Sequence, residues 1–245
     1  MCLVSIWQEK LKKILLMHSI ICNYFYSSTH FFRDQIIKLI QEQFQIDLMM
    51  KVGVLLFEGF ETLDVFGPVE ILGKLKDLYT ISFYSLSGGL VSNYHGVTIA
   101  TEPLENISNG VGIFLIPGGY GTREAVDDAL LIESIRQIAD GSTYVLTVCT
   151  GSALLAKTGL LDNKQATSNK IAFDWVITQG EKVNWIKRAR WTVDDKYYTS
   201  SGVSAGMDMT YGFLSDLHGK EFARNAAFRI EYTWMEDKDN DTFCT

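Results

Sequence analysis

From Lys51 onward, continuous apolar runs alternate with stretches of helical periodicity, and this alternation restricts the fold more than any other feature. Residues 52–57 and 111–116 are unbroken apolar runs, as expected of strands covered on both faces. Residues 79–85 and 144–148 add two more strands, and 95–101 with its neighbours is expected to form a β-hairpin at a sheet edge. Between them, residues 62–75 place Leu63, Phe66, Val69 and Leu72 on one side of a helix that contains Pro68. Residues 130–139 and 150–158 are helical, the second stopped by Gly159. Residues 190–193 and 197–200 predict another hairpin around Asp194-Asp195, and 203–217 and 221–231 predict two final helices. Strands separated by helices imply βαβ units and right-handed crossovers. The expected class is therefore α/β: a flavodoxin-like three-layer sandwich with a mostly parallel sheet and helices on both faces. In such sheets ligands bind at the carboxyl ends of the strands. Three polar or glycine-rich segments follow strand ends here: 58–64, 118–122 and 149–151.

The preceding 49 residues read differently. Lys10, Lys12 and Lys13 precede an apolar stretch over 14–22, but His18 and Ser19 interrupt it and no small-residue cleavage site follows, so it does not read as a signal peptide. It is also too short to span a bilayer. An amphipathic helix is expected over 31–44, with Phe32, Ile36, Ile37, Ile40 and Phe44 on one face. The chain is therefore expected to divide into an N-terminal extension over 1–49, a domain over 50–232 and an acidic tail over 233–245, with Met49 or Met50 the expected physiological start. The tail, with Glu236, Asp237, Asp239 and Asp241, is too short and too negative for a DNA-reading module.

Charge and composition narrow the function. A formal net charge of −7 with no basic stripe argues against a nucleic-acid surface and fits a small-molecule ligand. The four cysteines, Cys2, Cys22, Cys149 and Cys244, form no CxxC pair and no zinc spacing, which points to a reducing cytoplasm. No phosphate loop, metal-ligand cluster or dinucleotide fingerprint calls for a cofactor or a metal.

Cys149 stands apart. The run Tyr144-Val145-Leu146-Thr147-Val148 meets Cys149 and then the small, helix-initiating stretch Thr150-Gly151-Ser152-Ala153. This has the form of a nucleophile elbow. A sulfur near a helix start is expected to have a lowered pKa and a larger thiolate fraction. The competing reading is an inert core cysteine, since free cysteine is among the most buried residue types. Asp64, among Leu63, Val65, Phe66 and Pro68, is expected to be partly buried with a raised pKa, able to hold or pass a proton. Its alternative is a simple complement to a helix dipole. His95 reads as structural, and so does His218, an imidazolium expected to complement a helix C-terminus.

The stretches Phe60-Glu61-Thr62-Leu63-Asp64-Val65-Phe66-Gly67-Pro68, Ile116-Pro117-Gly118-Gly119-Tyr120-Gly121, Val148-Cys149-Thr150-Gly151-Ser152-Ala153-Leu154, Thr199-Ser200-Ser201-Gly202-Val203-Ser204-Ala205-Gly206-Met207-Asp208 and Ile230-Glu231-Tyr232 together resemble the ThiJ/PfpI superfamily, and within it the isonitrile hydratase branch. The resemblance implies Cys149 as nucleophile, Asp64 as its acidic partner and Thr150 as a residue that positions substrate or water. It implies backbone N–H donors at Gly118 and Gly119 beside the reacting centre. Many relatives carry His and Trp where this chain has Asn169 and Lys170. Asn169 cannot act as a base but can orient substrate or water. The activity implied is cofactor-independent hydration of an isonitrile to an N-substituted formamide through a covalent thioimidate. The alternatives are a ligand or cysteine-based redox sensor of the same fold, and another small-molecule hydrolase or glyoxalase-type enzyme. A homodimer is implied, with a small-molecule substrate and neither nucleic acid nor membrane as partner.

Overall fold

The computed structural model describes residues 49–107 and 110–244. The helix expected over 31–44 and nearly all of the N-terminal extension lie outside these residues. β1 (Met50–Leu55) is followed by α1 (Thr62–Gly73), β2 (Tyr79–Ser85), β3 (Gly89–Ser92), β4 (Thr98–Pro103) and β5 (Ile113–Ile116). Then come α2 (Thr122–Ala125), α3 (Ala129–Gly141), β6 (Tyr144–Thr147), α4 (Gly151–Lys157), β7 (Gln165–Ala166), α5 (Phe173–Ile177) and β8 (Asn184–Trp185). β9 (Trp191–Asp194), β10 (Tyr197–Ser200), α6 (Ala205–His218) and α7 (Lys220–Arg229) complete the described elements.

The main sheet has eight strands in the order β3-β4-β2-β1-β5-β6-β10-β9. β4, β2, β1, β5, β6 and β10 run parallel, while β3 and β9 are antiparallel edge strands. In register, Val54 lies between Phe83 and Leu115. The apolar runs are buried as expected of a sheet covered on both faces: Val54, Leu55 and all of Ile113–Ile116 have no exposed surface. α1 packs on α6, and α6 on α7, while α2, α3 and α5 gather around α4. The crossovers leave β1 and β5 in opposite lateral directions, so right-handedness places these two groups on opposite faces. The chain thus reverses its strand order between β1 and β5, and the carboxyl ends of those two strands flank the crevice where a ligand is expected in an open α/β sheet.

Three details depart from the sequence reading. α2 and α5 are four and five residues long, too short to show a period. At the end of α6, His218 Nε2 lies 2.7 Å from Tyr79 Oη, and burial pulls its pKa below the ordinary 6.5, against the expected imidazolium. The acidic tail, for which the sequence predicts no packing, is docked. Lys238 O accepts the Arg190 and Trp191 N–H groups beside β9, Asp241 N–H donates to Arg188 O at 2.7 Å, and the Asp241 side chain is buried. Among the described residues no helix is long and apolar enough to cross a membrane.

Candidate active site

The loops after β1, β5, β6 and β10 converge at the carboxyl edge of the sheet, and each contributes to one cluster. Cys149 sits two residues beyond β6 with φ +56°, a left-handed conformation that costs a non-glycine residue about 1–3 kcal/mol. The surrounding structure holds it there. The Cys149 N–H donates to Ser201 O at 3.2 Å. Its carbonyl accepts the hydroxyls of Ser168 at 2.8 Å and Ser152 at 3.1 Å. The elbow expected from the sequence is thus present, and it is braced from two other loops.

The electrostatics at the sulfur run against the expectation. The N–H groups of Thr150 and Val203 and the Thr150 hydroxyl pull the thiol pKa down, but burial, and after it the Asp64 carboxyl, push it up, and the upward direction prevails. Only 6 % of Cys149 is exposed, so loss of water outweighs the donors at the helix start. Val203 was not singled out by the sequence. It has φ +37°, a strained conformation that turns its N–H toward the sulfur. A branched residue in a Ser-Gly-Val-Ser turn carries no sequence mark of a positive φ.

Asp64 lies in the first turn of α1 and is completely buried. Burial raises its pKa well above the ordinary 3.8, the Gly118 N–H opposes this, and Glu61 adds to the rise. Oδ2 accepts the Gly118 N–H at 2.9 Å. Oδ1 is buried with no hydrogen bond of its own, while the carboxyl and the Cys149 thiol lie within interaction range of each other. Thr150 and Val203 direct donors at the sulfur, while the carboxyl receives the Gly118 N–H and the Cys149 thiol. A proton on Asp64 would remove the charge that opposes thiolate.

Gly118 and Gly119 lie beside this pair, but their N–H groups are already engaged, contrary to the expectation that they are open donors. Gly118 serves Asp64, and the Gly119 N–H donates to Thr150 Oγ1 at 3.1 Å. A Cβ on Gly118 would stand 2.6 Å from both N and Oγ1 of Thr150 and 2.9 Å from Asp64 Oδ2, so only glycine lets the three segments meet. Gly119 has φ +127° and pairs with Phe60 in an isolated bridge that ties the β1 loop to the β5 loop. Thr150 is buried beside Cys149.

Asn169 has a structural task. Its Oδ1 accepts the Ala172 N–H at 2.9 Å just before α5, and its amide nitrogen packs directly over Gly202. It therefore supports the turn that carries Val203. Lys170 donates from Nζ to Thr167 Oγ1 at 2.9 Å and Ala189 O at 2.7 Å, and lies 3.8 Å from Asp241 Oδ2. Asp241 also meets Arg190, which is paired with Asp208 at 2.6 Å. Lys170 is thus part of a buried network.

These features define a class: flavodoxin-like α/β domains with a cysteine on a strained strand-to-helix turn and a buried acid beside it at the sheet's switch point. Residues 50–216 match the DJ-1/PfpI family, and the chain belongs to that family. It is similar to isonitrile hydratase of Pseudomonas putida, with 27 % identity over 187 residues, 76 % of this chain and 79 % of that protein. It is also similar to the HTH-type transcriptional regulator CdhR of Pseudomonas aeruginosa, 27 % identical over 174 residues, but spans only 51 % of that protein's length. Among solved structures, a ThiJ/PfpI family protein from Pseudomonas syringae superposes with a TM-score of 0.69 at 26 % identity, covering 75 % of each chain. Drosophila melanogaster DJ-1beta superposes with a TM-score of 0.66 at 19 % identity over 76 % of this chain and all of that one, a likeness of fold.

Proposed function

We propose that this protein hydrates an isonitrile to an N-substituted formamide, with Cys149 as nucleophile and Asp64 as the group that moves protons. The observation that carries this reading is the buried, unpartnered Oδ1 of Asp64, whose pKa burial raises, beside the Cys149 sulfur. The similarity to an isonitrile hydratase along 76 % of the chain supports the substrate class.

The thiolate forms an S–C bond to the terminal carbon of the isonitrile, and Asp64 gives its proton to that same carbon. This yields a thioimidate and an Asp64 carboxylate. Water then adds to the carbon. Asp64 takes a proton from the water and passes it to nitrogen, leaving a tetrahedral carbon that bears sulfur, hydroxyl and amine. Collapse returns the hydroxyl proton to Asp64 and breaks the C–S bond, which releases the formamide and restores the thiolate. One water is consumed, and no oxidant or reductant is needed. One acid alternating between donor and acceptor suits a covalent two-step route. Asn169 fits this reading better than base-dependent protease or glyoxalase chemistry, because an amide cannot take a proton at neutral pH. A homodimer in the cytoplasm belongs to the same proposal.

The test is formamide production from a simple alkyl isonitrile by wild type, Cys149→Ala and Asp64→Asn. Wild type turns over, Cys149→Ala is inactive, and Asp64→Asn loses about 10²–10⁴-fold in kcat, the usual scale of general acid–base help. Unchanged turnover in either variant removes that residue from the mechanism. No turnover by wild type rejects the substrate class and favours a sensor.

A further inference from the structure

Two of the described arginines are withdrawn from full exposure, Arg190 and Arg123, and their surroundings differ. Arg190 is buried against two carboxylates, Asp208 and Asp241. Arg123 is partly buried in α2 and meets no carboxylate among the described residues, although the 29 acidic residues of the chain outnumber its 22 Lys and Arg. A guanidinium drawn away from water without an anion lacks the partner that such a cation ordinarily has.

Arg123 is nonetheless held in place. Its guanidinium carbon lies 4.1 Å from the Trp175 ring centroid and 5.9 Å from that of Tyr120. Nη1 donates to Thr122 Oγ1 at 3.0 Å and lies 3.4 Å from Gly119 O. Nε and Nη2 have no hydrogen-bond partner among the described residues. These two nitrogens form one edge of the planar group, and their parallel N–H bonds match the two oxygens of a carboxylate. The contacts that fix the side chain therefore leave its most selective edge unengaged.

The position of Arg123 gives that edge a use. α2 begins in the loop beyond β5, at the same sheet edge as Cys149. Thr122 Oγ1 lies 3.1 Å from Thr150 Oγ1, and Thr150 directly follows the nucleophile. One hydroxyl thus stands between the guanidinium and Thr150, so a substrate held at Cys149 needs only a short substituent to reach Arg123. Tyr120, between Gly119 and α2, is 74 % exposed, and its ring centroid lies 6.1 Å from that of the equally exposed Tyr94.

We propose that Arg123 is a specificity residue whose Nε–Nη2 edge pairs with a carboxylate at the far end of the substrate of Cys149. Combined with the isonitrile reading, on which the substrate class rests, this makes isocyano acids better substrates than uncharged alkyl isonitriles, and N-formyl amino acids the products.

The experiment measures kcat/KM of wild type, Arg123→Met and Arg123→Lys for ω-isocyano alkanoates of increasing chain length, each beside its neutral methylamide, with circular dichroism as the check on folding. At the chain length that reaches the guanidinium, wild type favours the acid over the amide. Arg123→Met lowers that acid-to-amide ratio by about 10–100-fold, the scale of a hydrogen bond to a charged group. The loss falls in KM, as for an interaction made equally in the ground and transition states. Arg123→Lys, a point charge without the planar fork, keeps part of the preference. The same ratio in wild type and Arg123→Met at every chain length overturns the proposal. A second arm uses no isonitrile: alkylation of Cys149 by N-iodoacetyl ω-amino acids and by their methylamides, read on the Cys149 peptide by mass spectrometry. A preference for the acids that Arg123→Met abolishes supports the carboxylate contact even where no isonitrile turns over, an outcome that faults the isonitrile reading alone. Should Arg123→Met fail to fold, the wild-type alkylation ratio is set against that of free cysteine: a higher ratio supports the proposal, and one no higher overturns it.

Discussion

A carboxyl whose pKa is raised by burial is the residue on which the proposed chemistry turns, and it has a thermodynamic signature. The folded pKa of Asp64 is raised, whereas the unfolded chain ionises near the ordinary 3.8. The folded state therefore holds a proton that the unfolded state releases, and stability falls as pH rises from that value toward the folded pKa. Asp64→Asn can keep the Gly118 hydrogen bond and removes this linkage. The variant is expected to melt higher than wild type at pH 7, by ~2 °C or more for each kcal/mol of relief. The gap should narrow as pH approaches 4, as measured by thermal denaturation across pH, while catalysis is lost. A variant that melts lower at neutral pH would mean that Asp64 is ionised in the folded protein. At this scale the sequence was informative about identity and poor about direction. Cys149 and Asp64 stand out because each follows a strand end and sits among apolar neighbours. The net direction of the thiol pKa, and the engagement of the Gly118 and Gly119 N–H groups, depend on which atoms meet across loops 31 and 54 residues apart.

Among the elements, the tail changes most in meaning. Its acidic residues read only as too negative for a DNA-reading module, and Asp241 has a fully buried side chain between Arg190 and Lys170. Lys170 also donates to the Ser168 carbonyl at 3.3 Å, and Ser168 in turn holds the Cys149 carbonyl. Arg190 O accepts the Ser201 N–H at the turn that carries Val203. The tail therefore braces two of the loops that shape the elbow. Asp241→Ala leaves two buried cations without a shared partner and is expected to destabilise the domain by about 3–5 kcal/mol in urea unfolding. A loss under 1 kcal/mol would show that the tail only rests on the surface. A second expectation concerns the end of α6. The lowered pKa of His218 gives stability that is full above 6.5 and is lost as pH falls through the folded value, so His218→Gln should flatten the acid side of a stability–pH profile. The long elements were legible because their apolar residues repeat. α2 and α5 were not, although α2 supplies Thr122 and Arg123 and α5 supplies Trp175, because elements of four and five residues show no period.

At the scale of the domain, the proposed reaction falls where the sheet topology reverses. β1 and β5 are neighbours whose following helices lie on opposite faces, and the loops beyond β1, β5, β6 and β10 meet at one edge. Every residue in the proposed scheme comes from those loops or the first turn of the helix after one. This explains why a sequence pattern sufficient for a mostly parallel sheet also pointed to the carboxyl edge where these loops meet. The central claim is that the Cys149 sulfur forms a bond to substrate carbon while Asp64 supplies the proton. Intact-mass analysis of protein quenched during turnover of an alkyl isonitrile tests it most directly. The expected result is a species heavier than the free protein by one isonitrile, mapped to Cys149 and absent from Cys149→Ala. Formamide produced by wild type and Cys149→Ala alike, with no mass added to Cys149, would contradict it.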